Sequence, residues 1–396
     1  MRKKISFLIC LAAALLSCQK VESTLSVKEA EAAAVSSREV ARMLSNLPIG
    51  QEQLDEVFDA VSSSSGNGYD EEYTMEGLFS APGAGVGEEV QKASSRRYSR
   101  PLRDMISEYL LSGTKAQGER LSLEDLQNSG LQIYWPWFDN WDGSSLPAIT
   151  FDPGDGSEAN IAYLLEKDAL TGEVSAREIT VDENYAAAHP VWVVNSNSDA
   201  AYTSLELLRR GSVGSGGGEI IIGKSSLTLS SESGEEGFHT LLLQKFKAMR
   251  NYDSWFAGGS EFFVKFASVE DFKAVTDEEM MLYNPSVTDF IIVVKRKDVG
   301  KEINVGAVLV DKWTDQLSRC ALMVTEDDGG TWTSWKTEIE LKIYSKTYGL
   351  SINLPIRSRD DIVWRGSVSG DFLKKTSGEA YRYGDVEMTF EMRTLL

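Results

Sequence analysis

The chain has 396 residues, of which 42% are hydrophobic and 25% charged. Those proportions belong to a globular protein and exclude a wholly disordered or polytopic membrane chain. With 40 Lys and Arg against 60 Asp and Glu, the net charge is −20. Such a field opposes approach to phosphates, so nucleic acid is excluded as an expected partner.

The N-terminus opens with Arg2-Lys3-Lys4 and continues as an apolar run from Ile5 to Leu16. A basic start before about a dozen apolar residues fits a secretory signal; a spanning helix needs about 20. The run closes on Leu15-Leu16-Ser17-Cys18, which resembles the lipobox of bacterial lipoproteins. That resemblance implies a signal peptide at 1–17, acylation of Cys18 and cleavage before it. Loss of Arg2, Lys3 and Lys4 would take the charge from −20 to −23. An acidic body is repelled by an anionic leaflet, so the lipid would have to hold the protein at the membrane. Gln19 follows the cysteine where enterobacterial lipoproteins kept at the inner membrane carry Asp. The resemblance therefore implies the outer membrane, with its periplasmic or surface face left open. The general texture is similar to lipoproteins of Bacteroidetes.

Residues 18–130 read as anchor, tether and helices. Ser26-Val27-Lys28-Glu29 and Ser36-Ser37-Arg38-Glu39 fit the capping-box pattern. Val40, Met43, Leu44 and Leu47 then recur at helical spacing up to Pro48. Leu54, Val57, Phe58 and Val61 predict another short amphipathic helix, ended by the loop-like run Ser62–Gly68. Ala81–Gly87 reads as a second loop, and Pro101 predicts a helix start before Leu102, Met105 and Ile106.

Residues 131–200 read as a small aromatic-rich β module with strands at 131–135, 147–151 and 191–194. Residues 201–260 read as a mixed linker region, broken at Gly214–Gly218, with a short helix over Leu241–Tyr252. From 261 to 396 alternating runs such as Glu338–Tyr344 and Val386–Met392 predict an antiparallel β-sandwich. The expected fold class is α+β, mainly β.

Four patterns carry candidate chemistry. Gly218–Ser225 satisfies G-x-x-x-x-G-K-S. Its wrapping loop holds three Ile, and a strand-like run follows where a helix is needed, so a turn is expected and no nucleotide. Thr325–Trp332 resembles the Asp-box of sialidases. It implies a hairpin at 318–335 in which Asp327 takes turn N–H groups, Gly329 adopts positive φ and Trp332 packs beneath. Asp139–Gly143 and Asp152–Glu158 are acidic turns that read either as Ca²⁺ loops or as ordinary turns.

Tyr134, Trp135, Trp137, Phe138 and Trp141 place five rings within eight residues. They serve either as the core of a small module or as a ligand platform; Tyr134, Trp135, Trp137 and Trp141 are the candidate ligand-binding residues.

Cys10 precedes the cleavage point and Cys18 is the lipid site, so Cys320 is left as a core thiol without a disulfide partner. His189 and His239 are too few for a His-rich zinc site. Neither a cofactor nor a metal is expected, and no catalytic residue is assigned. The function expected is that of a membrane-anchored, non-enzymatic binding or assembly module for a glycan or protein ligand. The alternative is a glycan-directed hydrolase using an unidentified carboxylate pair.

Overall fold

The computed structural model describes residues 35–80, 98–112, 121–197, 204–206, 239–328 and 330–394. Cys18, the Ser26 capping box, the 81–87 loop, the glycine-rich break and the P-loop-like stretch lie outside them. The fold is α+β and mainly β. Among the described residues no helix is long and apolar enough to cross a membrane.

The helical part begins with α1 (Ser37–Ser45). Ser36 is its N-cap, and the Glu39 side chain accepts the Ser36 N–H at 3.4 Å. Val40, Met43, Leu44 and Leu47 are all buried, as their spacing requires. Next, α2 (Gln51–Gly66) runs straight through the serines that composition assigned to a loop. Tertiary contact overrides composition there. Lys295 donates to the Ser65 carbonyl at 3.4 Å and also bonds the Ser65 hydroxyl. The Ser65 carbonyl also accepts the Gly68 N–H at 3.2 Å, so a cation joins a capped carbonyl at the negative end of the helix. Gly68, at φ 83°, then turns the chain away. Strand β1 (Glu72–Thr74) leads into α3 (Met75–Phe79). Helix α4 (Leu102–Leu111) starts after Pro101, and its Leu102 N–H donates to buried Glu56 at 2.6 Å. Helix α5 (Leu123–Gln127) completes the set.

These helices cover one face of a six-stranded sheet. It adds β2 (Leu131–Tyr134), β3 (Ala148–Phe151), β4 (Ala159–Lys167), β5 (Val174–Asp182) and, after α6 (Glu183–Ala188), β6 (Val191–Ser196). The strand order is β1-β2-β6-β3-β4-β5, with β3 and β6 parallel and the other neighbours antiparallel. Leu44, Leu54 and Ile106 from the helices share one core with Ile133, Trp135 and Trp192 from the strands. Residues 35–197 are therefore one layered unit, where sequence texture separated 18–130 from 131–200. An amphipathic helix has to bury its stripe somewhere, and the sheet supplies the surface.

The sandwich begins earlier than residue 261. Strand β7 (His239–Ala248) replaces the helix expected over Leu241–Tyr252. A short apolar run such as Leu241-Leu242-Leu243 has no period of its own, and pairing on both edges decides it. The later elements are β8 (Ser260–Ser268), α7 (Asp277–Met280), β9 (Ser286–Val294), β10 (Ile303–Trp313) and β11 (Leu317–Glu326). They are followed by β12 (Trp332–Ile343), β13 (Lys346–Arg357), β14 (Asp361–Ser369), α8 (Gly370–Lys375), β15 (Ala380–Tyr383) and β16 (Val386–Thr394). One sheet runs β10-β7-β16-β15; the other runs β13-β12-β11-β8-β9, with β14 also on β11. Phe246 and Phe390 of the first sheet and Phe262, Leu322 and Ile339 of the second share one core, as does Cys320.

The Asp-box-like segment is not a closed hairpin. Strands β11 and β12 pair only at their far ends, through Leu317–Leu341 and Arg319–Glu340. Beside the loop, Glu326 pairs with Asp361 of β14 instead. Trp332 is 62% exposed, so it does not pack beneath the turn; the Arg357 guanidinium lies 5.0 Å from its ring. Asp327 is buried and pairs with Arg357 at 3.2 Å. The Arg357–Asp361 turn is accordingly tied into the fold at Arg357. Gly329 lies outside the described residues.

The layered unit and the sandwich meet on the face of the mixed sheet opposite α1–α5. The β7–β8 connection inserts Trp255 and Phe256 against Tyr134, Val191 and Val193. Asn195 Nδ2 donates to the Phe256 carbonyl at 3.0 Å, and the Trp255 indole donates to the Glu158 carbonyl at 3.0 Å.

Candidate functional site

The mixed sheet carries rings on both faces. A cleft of about 1050 Å³, lined by residues from the clusters on both faces, is walled by the 135–146 segment, the start of α2, the β4–β5 turn and the end of α6. Trp135 forms its floor and is fully packed, edge-on to Trp141 at 5.3 Å and to Trp192 at 5.8 Å. Trp137 and Trp141 are half-buried and line the wall. Tyr185 and His189 line it as well, stacked at 4.3 Å with planes 17° apart. Tyr185 lies on α6 and His189 is its C-cap, whose N–H donates to the Tyr185 carbonyl at 2.9 Å and brings the rings together. Gln51, Asn140, Ser144 and Ser145 add amide and hydroxyl groups.

Of the candidate ligand-binding residues, Trp135, Trp137 and Trp141 thus lie together. Tyr134 does not join them. Alternation turns its ring to the opposite face, where it is buried near Trp255.

Trp137 has φ 53°. That left-handed conformation is costly for a large side chain and needs the surroundings to enforce it. The enforcement comes from the sandwich. Glu71 accepts the Trp137 N–H at 3.3 Å, and Lys297 holds Glu71 at 3.1 Å and Asp139 at 2.8 Å. Lys297 belongs to the turn after β9, so the aromatic loop is clamped from outside its own unit. Burial, and then the neighbouring Asp70 carboxylate, push the Glu71 carboxyl up to about 7. Burial also raises Asp70, although its Oδ2 accepts the Gly259 N–H at 2.9 Å.

The acidic turns are satisfied by their own backbone. Asp142 accepts the N–H groups of Ser145 at 2.7 Å and Ser144 at 2.8 Å. With the Ser145 hydroxyl they hold its carboxyl down at about 2. Asp152 accepts from Gly154, and Asp155 from Ser157. Asp139 is taken by Lys297. These turns are built as turns, which accounts for the carboxylates that a Ca²⁺ loop would use.

The acids that line the cleft are Asp142 and Glu173. The residues best placed to hold a cation are elsewhere. Asp253, Glu261 and Glu326 each bring a carboxylate oxygen within 4.8 Å of the others. Sequence reading missed them because they lie far apart along the chain. One signal was present. In β11, Glu326 closely follows the apolar run Cys320–Val324, every residue of which is buried in the sandwich core.

No protein-family model, curated protein or solved structure matches this chain.

Proposed function

We propose that the protein is a lipid-anchored outer-membrane binding module that holds a glycan in the cleft of its mixed sheet. The observation that carries this reading is the pairing of half-buried Trp137 and Trp141 with the Tyr185–His189 stack around one 1050 Å³ space. Aromatic faces give sugars an apolar platform, and a few placed amides and hydroxyls fix orientation. The clamped backbone at Trp137 supports the same reading. Strain kept in place by a second structural unit is typical of a ligand contact. Binding is favoured over hydrolysis because a glycosidase needs a carboxyl with a raised pKa as proton donor. Asp70 and Glu71 are raised but do not line the cleft, and Asp142, which does, is lowered.

The anchor reading rests on Leu15-Leu16-Ser17-Cys18. It leaves the ligand to be met at the envelope surface or within the periplasm.

The test is a glycan and peptide array probed with the full chain in detergent, beside Trp137→Ala and Trp141→Ala. Retention of glycans by the wild type, lost by at least tenfold in both variants, is expected. Retention of peptides alone, release of cleaved glycan, or equal binding by the variants would overturn the reading.

A further inference from the structure

The three buried acids are not part of the cleft and call for their own account. Asp253 sits in the β7–β8 connection, Glu261 at the start of β8 and Glu326 at the end of β11. Glu326 is 0% exposed, and no hydrogen-bond donor among the described residues reaches either of its oxygens. What faces those oxygens is the carboxyl groups of Asp253 and Glu261, all within 4.8 Å. Asp328 and Asp361 add further negative field around Glu326, while Arg296 acts on Asp253 with the opposite sign. Burial pushes both Asp253 and Glu326 above the usual carboxylate range, and the neighbouring Asp253 carboxyl raises Glu326 further.

A buried carboxylate without a donor is costly and calls for a compensating positive group. Two species can supply it here. One is a proton shared between Asp253 and Glu326; the other is a metal ion touched by all three acids. The geometry fits the second. A Ca²⁺ ion takes oxygens at about 2.3–2.6 Å, so ligands on opposite sides of it lie about 5 Å apart. Three carboxylates without His or Cys form a hard, all-oxygen donor set.

We infer that Asp253, Glu261 and Glu326 form a Ca²⁺ site that fastens the β7–β8 connection to the second sheet of the sandwich. The consequence reaches the rest of the fold through that connection. It carries Trp255 and Phe256, which seal the back of the mixed sheet. The Asp253 carbonyl also accepts from Arg296 at 3.1 Å, and Arg296 pairs with Glu183 of α6 at 2.7 Å. Ca²⁺ at this point therefore pins the loop that joins the two halves of the protein.

The experiment is thermal unfolding of the full chain in detergent after chelation, with CaCl₂ or MgCl₂ added, and calorimetric titration of CaCl₂ alone. One equivalent of Ca²⁺ should bind, and 5 mM should raise Tm by roughly 3–6 °C. Mg²⁺, which needs a tighter octahedron, should give a smaller shift. Glu326→Gln should abolish the Ca²⁺ shift while raising the Tm of the chelated protein, because it removes a buried repulsion. Asp253→Asn gives the same reading if Glu326→Gln fails to fold. An absent Ca²⁺ response in the wild type, with Tm rising on acidification and Glu326→Gln erasing that rise, would overturn the site in favour of a shared proton. Because glycan retention is read separately, failure here leaves the cleft untouched.

Discussion

The sealed face of the mixed sheet and the cleft beside it use tryptophans for opposite purposes. On the sandwich side, Trp255 and Phe256 are fully buried against Tyr134, and the Trp255 indole has its acceptor. On the helix side, Trp135 closes the core and Trp141 packs at its margin, while Trp137 packs beside the sandwich-side cluster; Trp137 and Trp141 both border an open cleft. Neighbouring rings in one segment thus divide into packing and presentation. The difference is set by the end of β2 at Tyr134, where the chain leaves the strand, and by the Glu71–Lys297 clamp, which holds Trp137 in its left-handed conformation. An aromatic cluster in sequence does not say which of its rings is structural, because the strand end that divides them is not marked in it.

The comparison is broken most easily at the sealed face. Trp255→Ala should lower stability by about 3–5 kcal/mol in urea unfolding, as deletion of a large buried ring does. A loss under 1 kcal/mol would mean that the β7–β8 connection is not a packed seam.

The clamp comes next. The folded-state pKa of Glu71 is raised, so the folded protein holds a proton that the unfolded chain releases. This group's contribution is therefore largest below the unfolded value of 4.5 and falls as pH rises through about 7. The decline should amount to roughly 2–3 kcal/mol and be flattened in Glu71→Gln. Urea midpoints at pH 4.5, 6 and 7.5 provide the check, and parallel profiles for the two proteins would contradict it.

At the open face the effect moves from stability to binding. Trp137→Ala should cost less than about 1 kcal/mol in unfolding, because the ring is half-exposed and its φ is strained. The same change should weaken a retained glycan tenfold or more, about 1.4 kcal/mol. Comparable losses in both assays would make Trp137 a packing residue like Trp255.

The smallest effect is expected at Trp332. At 62% exposure, Trp332→Ala should shift stability by no more than about 0.5 kcal/mol. A loss of several kcal/mol would restore the buried role that the Asp-box resemblance implies.

Much of this architecture was legible in the chain. The α1 face and the alternating C-terminal strands follow from period, and the strands at Leu131, Ala148 and Val191 from short runs closed by turn residues. Misread elements have identifiable causes. The serine run of α2 is held helical by Lys295, more than 200 positions away. The Leu241–Leu243 run takes its form from partners on both edges. The Asp-box-like loop is opened by β14, which takes the edge of β11 that a hairpin partner would use. For the cleft, the aromatic segment pointed to the place, while Tyr185 and His189 came from a helix that sequence texture had not marked. The acid cluster is a product of topology, and only the place of Glu326 after the wholly buried run Cys320–Val324 announced it.

In the proposed site Trp137 and Trp141 touch ligand while Trp255 and Trp332 do not. With 9 tryptophans in the chain, fluorine NMR on fluorotryptophan-labelled protein can separate them. Single Trp→Phe changes would assign the signals before titration with a glycan retained on the array. The resonances of Trp137 and Trp141 should move, with those of Trp255 and Trp332 unchanged. Movement at Trp332 with Trp137 and Trp141 still would place the ligand on the sandwich and contradict the account.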